Sequence, residues 1–104
     1  MNHLQREECI NKHLKICETI RLGKGLEYSN SDEEANQNFY SDIDVGVSPL
    51  QSLSVFMNKH YRSIRSYIRL GQIKSNESIQ GRIHDLINYA LILLTLLEDE
   101  NTKK

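Results

Sequence analysis

The chain has no tryptophan, a single proline and only two cysteines. Its longest apolar run, residues 90–97, is broken by Thr95. A run of that length falls far short of the roughly 20 residues that a membrane-spanning helix needs. The opening segment is polar, so neither a signal peptide nor a membrane partner is expected, and a cytoplasmic location follows. The formal charge of -1 lacks the basic excess of a generic nucleic-acid coat, so nucleic acid is not an expected partner.

The cysteines are Cys9 and Cys17. On one helix they stand about 12 Å apart along the axis. A disulfide needs alpha carbons roughly 4.4–6.8 Å apart. Free, buried thiols are therefore expected, packed as small hydrophobes. His3, His13 and His84 lack enough His or Cys neighbours at ligand spacing for a zinc site, and read as incidental. No glycine-rich phosphate loop, nucleophile elbow or zinc-protease motif is present. No two carboxylates stand three or four residues apart. The chain therefore lacks the local pairs that project oxygens onto one magnesium ion, and no metal or cofactor is expected.

What is present is helical patterning. The length of 104 residues suits one domain over residues 1–100, with a frayed polar tail at 101–104. A first helix is expected over about 3–22, with Ile10, Leu14, Cys17 and Ile20 on its buried face and Gly23 and Gly25 ending it. A loop and a short acidic helix follow. Ser31 and Glu34 have capping-box spacing, Phe39 and Tyr40 dock the piece, and Gly46 closes it. Ser48, Pro49 and Gln51 form the clearest helix start, and Gly71 the matching stop. Between them Leu50, Leu53, Met57, Tyr61, Ile64 and Ile68 keep one face apolar. A last helix is expected over about 76–99, capped by Ser75 or Asn76. Its seam comprises Ile79, Ile83, Leu86, Ala90, Leu93 and Leu97. Its second half is apolar nearly all round, which predicts a central helix or a subunit interface. The expected class is all-α: a small bundle of three longer helices and one short helix, associating into a homo-oligomer.

Three groups of polar residues are candidates for binding. Lys59, His60 and Ser63 share a border of the third helix and suit phosphate oxygens, or else form an ordinary amphipathic edge. Beside them Arg62, Arg65 and Arg69 read as a solvated basic face, with a DNA-binding helix as the alternative. On the last helix Arg82, Asp85 and Tyr89 form a stripe, with Asn88 one turn after Asp85. Either Arg82 and Asp85 pair structurally, or Asp85 orients Arg82 toward a ligand that Asn88 and Tyr89 also contact. Finally, the loop from 24 to 38 offers Lys24, Tyr28, Asn36 and Asn38, as ligand contacts or as a solvated connection.

Several of these pieces carry a family resemblance. Lys24 and Tyr28, Asn38-Phe39, Ser48-Pro49-Leu50, Lys59-His60 with Ser63, and Glu77 followed by Arg82, Asp85, Asn88 and Tyr89 cover about two-thirds of the chain. Together they resemble a phage family of nucleotide-modification-associated domains, itself similar to all-alpha MazG-like nucleotide pyrophosphatases. The resemblance implies an oligomeric, helical, nucleotide-handling protein of a phage, acting in the cytoplasm of an infected bacterium. MazG-like enzymes hold magnesium with carboxylates paired along two helices. Here Arg82 occupies a place where such an acid could stand, and arginine attracts phosphate but repels a metal ion. By analogy with phage nucleotide sponges, the leading expectation is a non-enzymatic protein. It would sequester a nucleotide-derived immune signal, of the cyclic nucleotide or cyclic ADP-ribose kind, without cleaving it. One alternative is a divergent pyrophosphatase using Glu33, Glu77 and Asp85. The other is a protein-binding module that docks the apolar face of its last helix on a host protein.

Overall fold

A computed structural model describes residues 1–28, 36–72 and 77–102. Three long helices account for most of them: α1 (His3–Tyr28), α2 (Pro49–Leu70) and α3 (Ile79–Thr102). Two 3-10 turns, Gln37–Tyr40 and Ile43–Val45, lead into α2. No strand occurs among the described residues, and the all-α expectation holds. No described helix is long and apolar enough to cross a membrane.

The start of α1 is fixed locally. Asn2 Oδ1 accepts from the Gln5 amide and Gln5 Oε1 accepts from the Asn2 amide, both at 2.8 Å. This reciprocal exchange satisfies two amide groups at the helix start. The expected stop at Gly23 and Gly25 is overturned, because α1 continues to Tyr28. A glycine inside a helix costs only about 1 kcal/mol relative to alanine. Among the described glycines only Gly46 and Gly71 take a positive φ. The acidic helix expected from Ser31 lies outside the described residues.

Helix α2 follows the sequence reading closely. Ser48 Oγ accepts from the Gln51 amide at 3.1 Å, and Gln51 Oε1 accepts from the Ser48 amide at 2.9 Å. Pro49 supplies a preset φ at the first position, where no helical donor is lost. Gly46 ends the second 3-10 turn at φ 86° and Gly71 ends α2 at φ 73°. Both lie in the left-handed region that L side chains avoid. On the expected apolar face Leu53 is buried and Leu50, Met57 and Ile64 are half-buried, but Tyr61 and Ile68 are exposed. The inward face rotates to include His60, which is buried.

Helix α3 begins later than expected. Ser78 Oγ accepts from the Gly81 amide at 3.0 Å, so Ser78 does the capping. Ser75 and Asn76 lie outside the described residues. At the other end α3 runs through Thr102. Asn36 ties that end down by donating to Thr95 Oγ1 at 3.0 Å and Asp99 Oδ2 at 3.3 Å.

α3 is the central helix, with α2 packed along one flank and α1 against the other. Phe39, Leu53 and Leu96 form the buried core, with Leu50, Met57, Tyr89, Ile92 and Leu93 packed around them. The expected seam of α3 is displaced. The fully buried residue is Leu96, whereas Ile83, Ala90 and Leu97 are exposed. A helix apolar on every side gives no period to mark its inner face. On α1, Cys17 is buried, Ile20 and Cys9 are half-buried, and Ile10 and Leu14 are exposed, contrary to a face that buries all of them.

Two measurements follow. Ser48→Ala is expected to lower unfolding stability by about 1 kcal/mol, read as a lower urea midpoint with an unchanged slope. In the native protein a thiol reagent should modify Cys9 well before Cys17, whose sulfur is fully buried. Equal rates would contradict this packing.

Candidate functional site

The sequence places Arg82, Asp85 and Tyr89 on one stripe of α3, and the fold turns that stripe inward against α2. Arg82 is only 7% exposed. Its Nε stands 3.1 Å from Glu77 Oε2, and its Nη1 lies 3.4 Å from His60 Nδ1. On the other edge of the ring, His60 Nε2 is 3.9 Å from Asp85 Oδ2. The result is a polar chain, Glu77–Arg82–His60–Asp85, across the α2–α3 seam. Glu77 is its exposed end; the other three are largely covered.

The tautomer of His60 follows from its neighbours. A guanidinium has donors only, so Nδ1 must accept and the ring proton sits on Nε2, facing Asp85. Burial pushes the imidazole below its ordinary value. The Asp85 carboxylate opposes this, and the Arg82 charge adds to it. At 3.9 Å the Asp85 contact is too long for a hydrogen bond and acts through charge. His60 is therefore neutral near pH 7.

Aromatic rings back the chain. Tyr89 lies against His60 at 5.4 Å between centroids and stacks on Phe56 at 5.8 Å. Phe56 in turn meets the edge of Phe39 at 6.4 Å. This ladder links the polar half of the seam to the apolar core and fixes the tilt of the His60 ring.

The remaining candidates divide. Lys59 is exposed and Ser63 half-buried, on the side of α2 that leads round from its outer face to His60. Arg62, Arg65 and Arg69 are exposed, and the Arg65 guanidinium sits 5.8 Å over the Tyr61 ring. Asn88 does not join Arg82 and Tyr89. It is buried toward α1, donating to the Cys17 carbonyl and accepting from Arg21 Nη1, both at 3.0 Å. One helical step from Tyr89 is enough to turn it to the other flank. Asn38 is exposed on the first 3-10 turn, where its carbonyl accepts from Ser41. Lys24 and Tyr28 belong to α1 and not to a loop; their side chains, like Glu33, lie outside the described residues.

Two residues read as incidental are not. His13 Nδ1 and His84 Nε2 meet at 2.8 Å across the α1–α3 contact, and His84 is buried. Nothing in the sequence links positions 71 residues apart. The neighbouring Cys17 thiol donates to the His84 carbonyl at 3.8 Å. Burial raises its pKa, with Arg21 opposing and Asp85 adding, so it stays a thiol. Among the described residues no group of three or more His, Cys, Asp or Glu side chains is placed to hold a metal ion.

No family model, curated protein or solved structure matches this chain.

The His60 geometry sets a pH dependence. In the folded state its pKa lies below 6.5, so the unfolded chain takes up the proton first as pH falls. The stability from a neutral, buried His60 is fully present above about pH 6.5 and is lost as pH drops toward the folded value. One proton limits the slope to about 1.4 kcal/mol per pH unit. Urea titrations between pH 5 and 7.5 should give a shallower pH slope in His60→Gln than in the parent chain. Identical slopes would refute the assignment.

Proposed function

We propose that this chain binds a nucleotide-type anion and holds it without cleaving it. The observation that carries the reading is the charge pattern of α2. Lys59, Arg62, Arg65 and Arg69 are all exposed, and no Asp or Glu occurs between Pro49 and Leu70. Guanidinium and ammonium groups donate to phosphate oxygens. Tyr61, exposed beneath Arg65, offers a face on which a base can stack. Lys59 and Ser63 connect this face to the edge of the seam.

Arg82 adds a second anchor. Its exposed partner Glu77 is itself an anion, and a half-solvated pair of this kind is worth little. A phosphate that displaced the Glu77 carboxylate would gain a guanidinium already oriented by His60. With the resemblance to phage nucleotide-handling domains, the ligand class is a nucleotide-derived signal of the cyclic nucleotide or cyclic ADP-ribose kind. Its site of action is the cytoplasm of an infected bacterium.

One specific observation favours a second reading, a divergent pyrophosphatase: Glu77 and Asp85 stand at the two ends of one polar chain. Magnesium-dependent release of pyrophosphate, lost in Asp85→Asn, would establish it.

The test is titration calorimetry against a panel of cyclic dinucleotides, cyclic ADP-ribose and linear nucleoside triphosphates, followed by heat release and chromatography of the ligand. Binding should weaken with salt and at least tenfold in Arg62→Glu/Arg65→Glu. It should tighten in Glu77→Gln. The ligand should return intact. Absence of binding across the panel refutes the reading, and a cleaved ligand replaces it with the enzymatic one.

A further inference from the structure

A chain of 12.1 kDa that folds as a compact monomer exposes about 6,000 Å². This one exposes 8131 Å². Its radius of gyration is 15.8 Å, against about 13 Å for a compact domain of this length. Among the described residues the fully buried apolar side chains are few, and several of the uncovered ones, on α3 and α1, fall into a pattern.

On α3, Ile83, Ile87, Ala90, Leu94 and Leu97 recur at steps of three and four, so they form one stripe. Ile83, Ala90, Leu94 and Leu97 are exposed, Leu94 to 60%. The upper part of the stripe forms one wall of a groove whose other wall is Ile10 and Leu14 of α1. Both of those are exposed as well. The groove and the stripe make one continuous apolar face. It lies away from the α2 flank, where the cations are.

We propose that this face is closed by the same face of a second copy of the chain. The area supports one occupant of this size. The chain as a whole exposes about 2,000 Å² more than a compact monomer of its mass, an excess of the order that an obligate homodimer covers on each partner (about 1,000–2,500 Å²), and this face is one contributor to it. Charge also selects self-association. The α3 stripe carries no charged side chain, and the one arginine lining the groove, Arg6, lies 3.8 Å from Glu7, so two copies meet with little repulsion. The outer face of α2, with four cations and no acid, could not pair with itself in this way. The interface is isologous, and each copy keeps its basic face outward. This inference is independent of what the basic face binds.

Sedimentation equilibrium of the full chain should give a multiple of the 12.1 kDa mass, with the dimer as the smallest species at micromolar concentration. Ile83→Lys/Leu94→Lys should at least halve that mass or unfold the chain. Because unfolding would remove the variant from this measurement, the parent protein supplies the second readout. Its melting temperature should fall by about 5–10 °C on hundredfold dilution. Three results overturn the proposal: a parent chain that is monomeric at about 100 μM, a melting temperature independent of concentration, or an oligomer whose mass the double substitution leaves unchanged. A host protein captured by a monomeric chain would assign the face to a different partner.

Discussion

A guanidinium enclosed in a helix seam has to be met by groups that accept its protons, because an uncompensated buried charge costs several kcal/mol. Much of the α2–α3 contact follows from satisfying Arg82. Glu77 meets it from the solvent side and His60 from the interior. His60 serves only while Nδ1 keeps a lone pair, so the ring must be neutral. With its proton on Nε2, the ring faces Asp85 and is held at a tilt against Tyr89. Tyr89 stacks on Phe56, and Phe56 meets Phe39 of the first 3-10 turn. One buried cation thus orders residues from four segments of the chain. Beyond Tyr89 the same seam becomes ordinary apolar packing around Leu53 and Leu96.

What was legible in the sequence was local, and what was missed depended on contacts between distant residues. The Ser48-Pro49-Gln51 start and the Gly71 stop of α2 each depend on atoms within one turn, and the structure has both. The same is true of the spacing that puts Arg82, Asp85 and Tyr89 on one stripe. Gly23 misled because glycine permits a helix end without requiring one, and nothing after it compels a turn. The inner face of α3 could not be read from periodicity, since Leu91, Leu93, Leu94, Leu96 and Leu97 occupy every side of its second half. Here the polar residues were the better guide. Arg82, Asp85 and Tyr89 mark the side facing α2, and His84 and Asn88 mark the side facing α1. The pairing of His13 with His84, and of Arg21 with Asn88, depends on how α1 crosses α3, which no local pattern encodes.

Charge is unevenly distributed over the surface, although α2 also exposes Val55, Ile68 and Leu70. Cations without acids occupy the outside of α2, and uncharged apolar side chains occupy the outside of α3 and part of α1. In a monomer with a full core the second face would be unusual, since apolar residues would rather fill the interior. Here the interior holds few of them because α3 must serve two flanks with polar groups already committed on both: Arg82 and Asp85 toward α2, His84 and Asn88 toward α1. The apolar residues left over can be covered only from outside.

The position of Arg82 also weighs on which guest the proposed site would admit. A divalent cation would have to draw Glu77 and Asp85 together, yet these carboxylates are separated along the chain by Arg82 and His60. Bringing them to one ion would place it beside a guanidinium, where like charges repel, and would strip Arg82 of its exposed partner. A phosphate makes the opposite exchange. On the proposed reading it would replace one anion with another at Arg82, leave His60 neutral, and release Glu77 to solvent, where a carboxylate is well hydrated. On that reading the order of groups along the seam, acid–cation–neutral ring–acid, is what would suit an anion better than a metal at its solvent end. The acid-free flank of α2 extends that preference across the neighbouring surface.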